Sequence, residues 1–254
     1  MAFESVAGNL VANDTNGVND VFVRDMNNGA TLLVSVASNG IPQNQSTLGT
    51  LFVFDLSSSN LTSIATNVLA SDPPPLSLGG EWTAYVRSDA LFLFDIMHGT
   101  NLQVCGPVGL TNGIVRSSPV LSTNGSRLLF SASATANDAP ILLSFDRTTG
   151  VFTTISVNTN GTPTTADLGS LPSLSDDGER IAYVSSAAGI VASDYNQDAD
   201  VFWFDMGNGQ TRLVSARAAG RPQLASHKPG SYSTPVVSAN GRFLAFVSLA
   251  ACRT

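Results

Sequence analysis

The chain has 254 residues, enough to bury a large core as one repeat-built domain or as two ordinary ones. Only 12% of its residues are charged, its net charge is −7 and Lys228 is its sole lysine, so the basic stripe that nucleic acid or an anionic membrane surface requires is missing. No apolar run approaches the roughly 20 residues of a spanning helix, and no basic segment followed by an apolar one opens the chain; the expectation is no membrane insertion and no signal peptide.

In chain order, Ala2-Phe3-Glu4-Ser5 reads as a short strand, followed by a polar stretch and then by the aromatic strand Val21-Phe22-Val23-Arg24-Asp25. A small polar turn, Met26-Asn27-Asn28-Gly29, leads to a further strand over 31–36. This pattern of an apolar strand ending in aspartate, a turn and another strand returns at 51–64, 91–104, 142–157 and 201–215. A second pattern alternates with it. Proline, an apolar residue two positions on, serine, and glycine three further occur at 74–80, 119–125, 172–178 and 235–241, each followed by an alternating apolar run such as Arg180-Ile181-Ala182-Tyr183-Val184. The Asn-Gly, Asp-Gly and Gly-Gly pairs at the tips suit turns that demand positive φ. No stretch carries apolar residues at helical spacing, so the chain reads as all-β.

Four antiparallel strands per unit, apolar on both faces and repeated, describe the blades of a β-propeller, which buries each face against the next blade. A two-sheet sandwich is the alternative, but it does not require one strand order to recur. The units resemble the TolB-like, WD40-like bacterial propeller repeats, most clearly over Pro172-Ser-Leu-Ser-Asp-Asp-Gly-Glu-Arg-Ile-Ala-Tyr-Val-Ser185. The segment 2–36 is similar to a calcium-loop variant of them, which implies a large secreted bacterial protein. The resemblance covers nearly the whole chain and implies fold rather than activity, because this scaffold carries binding, structural and enzymatic members alike. The expectation is a single propeller over 1–254 with five blades, six being the alternative. The first unit begins in mid-blade and the last strand pair, 233–248, has nothing after it, which suggests closure by the chain ends. Against this, Ala2-Phe3-Glu4-Ser5 already fills the second-strand place of its own unit. Residues 37–50 are also too few for two ordinary strands.

The strongest chemical signal is the run Asp194-Tyr195-Asn196-Gln197-Asp198-Ala199-Asp200, where oxygen side chains at alternate positions can converge on one hard cation as in the first part of an EF-hand loop. Asp14-Thr15-Asn16-Gly17-Val18-Asn19-Asp20 repeats it, with Asp14, Asn16 and Asp20 as ligands and a backbone carbonyl at Val18. Both runs lie between a second and a third strand. The competing reading is that these residues only cap turns, yet four such groups in seven residues repel one another without a cation. Structural calcium is therefore expected at Asp194, Asn196, Asp198 and Asp200, and at Asp14, Asn16, Val18 and Asp20.

The repeated aspartates Asp25, Asp55, Asp95, Asp146 and Asp205 read as acceptors within turns. Cys105 and Cys252 read as two thiols, because Cys252 lies in a terminal stretch where chains fray. Two histidines, His98 and His227, make no zinc site with them. His227 sits in the longest irregular stretch beside Lys228 and Tyr232, but without a nucleophile motif. No glycine-rich phosphate loop follows a strand. The composition and motifs thus suggest a non-catalytic, calcium-stabilised binding or structural module, monomeric or part of a larger chain, with a protein or carbohydrate partner, and the resemblance implies that it is extracellular, at the cell surface or periplasmic. The competing possibility is an extracellular hydrolase or lyase acting on a carbohydrate or ester, with groups converging from the loops near Asp72, Arg116, Leu168 and His227.

Overall fold

A computed structural model describes residues 2–18, 20–26, 28–35, 48–58, 60–69, 74–106, 113–117, 119–165, 170–192, 194, 199–215 and 234–247. Every regular element among them is a strand, and none is a helix long and apolar enough to cross a membrane. The chain divides into two compact units, Met1–Ala70 and Ser71–Thr254.

The first unit holds β1 (Ala2–Ser5), β2 (Asp20–Arg24) and β3 (Thr31–Leu33) in one antiparallel sheet, and β4 (Leu48–Asp55) with β5 (Asn60–Leu69) in a hairpin. The alternation of apolar residues sets the register. Phe3 stands opposite Phe22 and their rings stack at 5.6 Å. The β4–β5 hairpin runs further than its apolar residues alone predict, with two register shifts between Gly49 and Phe52.

The second unit repeats the same meander. It begins with β6 (Trp82–Arg87), β7 (Ala90–Asp95) and β8 (Thr100–Cys105). Next come β9 (Ile114–Val115), β10 (Val120–Leu121), β11 (Arg127–Ser133), β12 (Ile141–Asp146) and β13 (Phe152–Thr154), with β9 and β10 both on β11. A third sheet contains β14 (Ser173–Leu174), β15 (Arg180–Ser185), β16 (Asp200–Asp205) and β17 (Gln210–Leu213), and β18 (Val236–Val237) pairs with β19 (Leu244–Ala245). In the first of these sheets the outer strand shrinks to one bridge, Leu76 to Thr83. Pro74 and Pro75 precede it and have no amide to give a ladder. The cross-strand aromatic pair of the first unit recurs as Tyr85 on Phe92 at 5.3 Å and Tyr183 on Phe202 at 5.6 Å.

The apolar layers lie between successive sheets, as in propeller blades. Leu91, Leu93 and Val104 pack with Leu128 and Phe130; Leu129 and Leu142 with Ile181, Tyr183 and Phe202; Val184 and Val201 with Leu244 and Phe246. The proline-to-glycine motif builds these contacts. Its serine caps the turn by accepting from the amide that opens the next strand: Ser122 Oγ from Arg127 at 2.9 Å, Ser175 Oγ from Arg180 at 2.9 Å and Ser238 Oγ from Phe243 at 3.0 Å. Its glycine has φ near +70° and rides on the preceding sheet. A Cβ on Gly125 would lie 2.9 Å from Trp82, one on Gly178 2.8 Å from Arg127, and one on Gly241 2.5 Å from Arg180. Only glycine satisfies both demands. Backbone bonds then lock turn to turn: Leu78 N–H to Thr123 O at 2.8 Å, Asn124 N–H to Asp176 O at 3.2 Å, and Asp176 N–H to Ala239 O at 2.9 Å. Arg127 adds a charge contact across sheets, 3.0 Å from Glu179.

The strands of 233–248 expected to complete the first blade pair with each other as β18 and β19; residues 1, 233 and 248–254 and most of the connection over 37–50 lie outside those described.

Candidate metal centre

Within the first unit, the pairing of β1 with β2 sets Ser5 opposite Asp20 and leaves 6–19 as a connection above the sheet. Ser5 Oγ receives the Ala7 amide at 3.1 Å, Asp14 N–H reaches Val11 O at 3.5 Å, and Gly17 supplies a positive φ of 67°. Asn16 closes a small turn by accepting from the Val18 amide at 3.2 Å. These bonds fold the connection inward, so that Asp14 is only 6% and Asp20 only 1% exposed.

The two carboxylates are incompletely satisfied. Both oxygens of Asp14 and Oδ2 of Asp20 are buried with no hydrogen-bond partner among the described residues, whereas Asp20 Oδ1 accepts from the Ser35 hydroxyl. Ser35 Oγ in turn receives the Val21 amide at 3.0 Å. A buried carboxylate without partners costs several kcal/mol, and two in one short loop add repulsion. The donors available here are two carboxylates, an amide oxygen at Asn16 and the carbonyl of Val18. An all-oxygen set carrying two negative charges fits a hard divalent cation and does not fit zinc or copper. Among the described residues no three His, Cys, Asp or Glu side chains cluster.

The second unit repeats the scaffold. Ser185 stands opposite Asp200, Ser185 Oγ receives the Ala187 amide at 3.1 Å, and Asp194 N–H donates to Val191 O at 3.2 Å. Asp200 is 1% exposed and accepts from the Ser215 hydroxyl, which itself receives the Val201 amide at 3.1 Å. Asp194 is half-buried; Asn196 and Asp198 lie outside the described residues. Asp14, Asn16 and Val18 thus lie on the connection and Asp20 opens β2, and Asp194 and Asp200 make backbone and serine bonds that match those of Asp14 and Asp20. The serines at 35 and 215 were not singled out from the sequence. Their signal is that each follows the third-strand aspartate by the same interval, as Ser156 does.

The other candidates stand apart. Asp55, Asp146 and Asp205 accept from the amides of Ser57, Thr148 and Gly207, each within its turn. Burial raises the Asp146 carboxyl, but the Thr148 hydroxyl and the Thr148 and Thr149 amides outweigh it and hold the group below its ordinary value. His98 is exposed, with Nδ1 2.8 Å from Asp95. Arg116 is exposed and donates to Ala136 O at 3.2 Å, while Asp72, Leu168 and His227 lie outside the described residues. Cys105 is a buried thiol. It lines a mostly apolar cavity of about 300 Å³ with Gly113, Ala132, Ser133, Asp138 and Leu143.

The chain matches no described protein family and no curated protein. Solved structures that resemble it include TolB from Acinetobacter baumannii, at 17% identity and a TM-score of 0.48 over 93% of this chain and 61% of that one. A TolB from Agrobacterium tumefaciens aligns at 15% identity and a TM-score of 0.49 over 80% and 63%. The β-propeller domain of the Trilobed protease from Pyrococcus furiosus aligns at 10% identity and 0.46 over 87% and 56%. The chain therefore spans roughly six-tenths of the length of these structures.

Proposed function

We propose that this chain is a non-catalytic β-propeller module, of five blades with six as the alternative, stabilised by calcium and serving as a binding or structural part of a secreted, cell-surface or periplasmic bacterial protein. The observation that carries the calcium reading is the set of buried carboxylate oxygens on Asp14 and Asp20 that no group among the described residues satisfies. The repeated meander and the interlocked turns support the propeller reading. Calcium supplies the positive charge that the loop lacks. Asp14, Asn16, Val18 and Asp20 hold it in the first unit, and Asp194, Asn196, Asp198 and Asp200 in the second. The residues do structural work there: they pin a long connection against the end of a sheet and remove the repulsion between acids. The partner of the module is a protein or a carbohydrate.

Thermal melting of the full chain in excess calcium and in excess chelator tests this reading. A ligand held only by the folded state adds about 2.7 kcal/mol at a hundredfold excess over its Kd. Calcium is expected to raise the melting temperature, and Asp194→Ala with Asp198→Ala to remove part of that rise. Melting indifferent to calcium and to these substitutions contradicts the reading.

A further inference from the structure

In three units the serine ten residues after the third-strand aspartate makes one constant bond and one variable bond. Ser35 and Ser215 each accept the amide of the second residue of a third strand, Val21 or Val201. Ser156 does the same for Leu142 at 3.0 Å. The hydroxyl proton goes elsewhere in each case. Ser156 gives it to Thr164 O at 2.7 Å, and Cys105, at the same place in its unit, points its thiol at Gly113 O at 3.9 Å. Ile141 and Ala90 open the third strands there, at the place of Asp20 and Asp200, and offer no side-chain acceptor. Where that opening residue is acidic, the proton turns to it: Ser35 to Asp20 Oδ1 and Ser215 to Asp200 Oδ1.

We infer that Ser35 is a positioning residue for the metal centre, holding one oxygen of Asp20 so that the other is presented to the cation together with Asp14. The inference rests on the calcium reading proposed above. A hydrogen bond to one oxygen favours one orientation of the Asp20 carboxylate, and Asp14, on the connection before it, is 6% exposed with neither oxygen bonded among the described residues. The comparison with Ser156 separates the two jobs. Closing the sheet needs only the acceptor side of the hydroxyl, whereas orienting Asp20 needs its proton. Groups that orient a metal ligand from behind typically change affinity by 10- to 100-fold.

The test is a calorimetric calcium titration of the chelator-stripped full chain as wild type, Ser35→Ala, Ser35→Cys, Ser35→Thr and Ser156→Ala, with Asp14→Ala marking which binding event belongs to the first loop. Melting in chelator reports the fold of each variant separately. Ser35→Ala and Ser35→Cys are expected to weaken that one event about tenfold or more, Ser35→Thr to restore it and Ser156→Ala to leave it unchanged. Cysteine already occupies this place at position 105, so the cysteine variant decides the matter if the alanine variant does not fold. Wild-type affinity in both Ser35→Ala and Ser35→Cys overturns the positioning role and leaves the calcium reading intact. A wild-type chain with no event lost in Asp14→Ala overturns both.

Discussion

The connection between β1 and β2 and the one between β11 and β12 occupy the same place in the same supersecondary unit, yet they are closed in opposite ways. The shorter one closes on itself: Thr135 N–H donates to Asp138 Oδ2 at 2.9 Å, Ser133 donates to Thr135 O at 2.7 Å, and Asp138 stays exposed. The longer one draws Asp14 and Asp20 inward and leaves three of their four oxygens without a partner among the described residues. A repeat fixes where a connection begins and ends, but not what satisfies it. An acid in a self-closed turn is a cap, whereas a buried acid with no partner among the described residues is where the proposed cation sits.

The largest effect that can break this contrast comes from neutralising the buried acids. Asp14→Asn with Asp20→Asn removes the repulsion, so the variant is expected to melt no lower than wild type in chelator. In calcium it forfeits the stabilisation of that loop, about 2–3 kcal/mol at a hundredfold excess over Kd. Equal behaviour of variant and wild type in both buffers removes the distinction between the two connections.

Next in size is Gly178→Ala, which places a Cβ 2.8 Å from that of Arg127 at a φ of 75°. Strain and overpacking together are expected to cost about 2 kcal/mol in a denaturant titration, the same with and without calcium. A calcium-dependent cost would tie the turn interlock to the metal site and blur the contrast. Asp138→Ala is expected to cost about 1 kcal/mol through its lost bond to Thr135, again independent of calcium. If calcium changes that figure, the shorter connection is not self-contained.

The smallest effect is electrostatic. The Ser175 hydroxyl and the Glu179 amide hold the Asp177 carboxyl below its ordinary value of 3.8. A carboxyl whose folded value is depressed contributes stability above its unfolded value and loses it as pH falls through the folded one. Asp177→Asn is therefore expected to cost under about 1 kcal/mol at neutral pH, an amount that shrinks below about pH 4. A difference from wild type that grows in acid contradicts this sign.

Local chemistry was legible in the sequence wherever one short segment holds its own partners. The serine and glycine of each proline-to-glycine motif meet within their own turn, and the aspartates ending the third strands bond to the next two or three residues. What escaped was long-range. That Gly178 sits on Arg127 and Gly241 on Arg180 depends on how one sheet stacks on the next, which no spacing along the chain encodes. The reduction of the strand before β6 to one bridge follows from Pro74 and Pro75, a local cause that the repeat pattern masked. At the proposed metal centre, the spacing of Asp14, Asn16 and Asp20 singled out the loop, and the structure adds the burial of its two acids. Ser35 went unnoticed because its partner is chosen by the fold: the same residue type at 156 turns to a carbonyl instead.

Site-resolved hydrogen exchange on the full chain, with calcium and with chelator, tests the contrast most directly. Calcium is expected to slow exchange of the amides in 14–20 severalfold or more while those in 133–141 stay unchanged. No change in 14–20, or an equal change in both connections, contradicts the account.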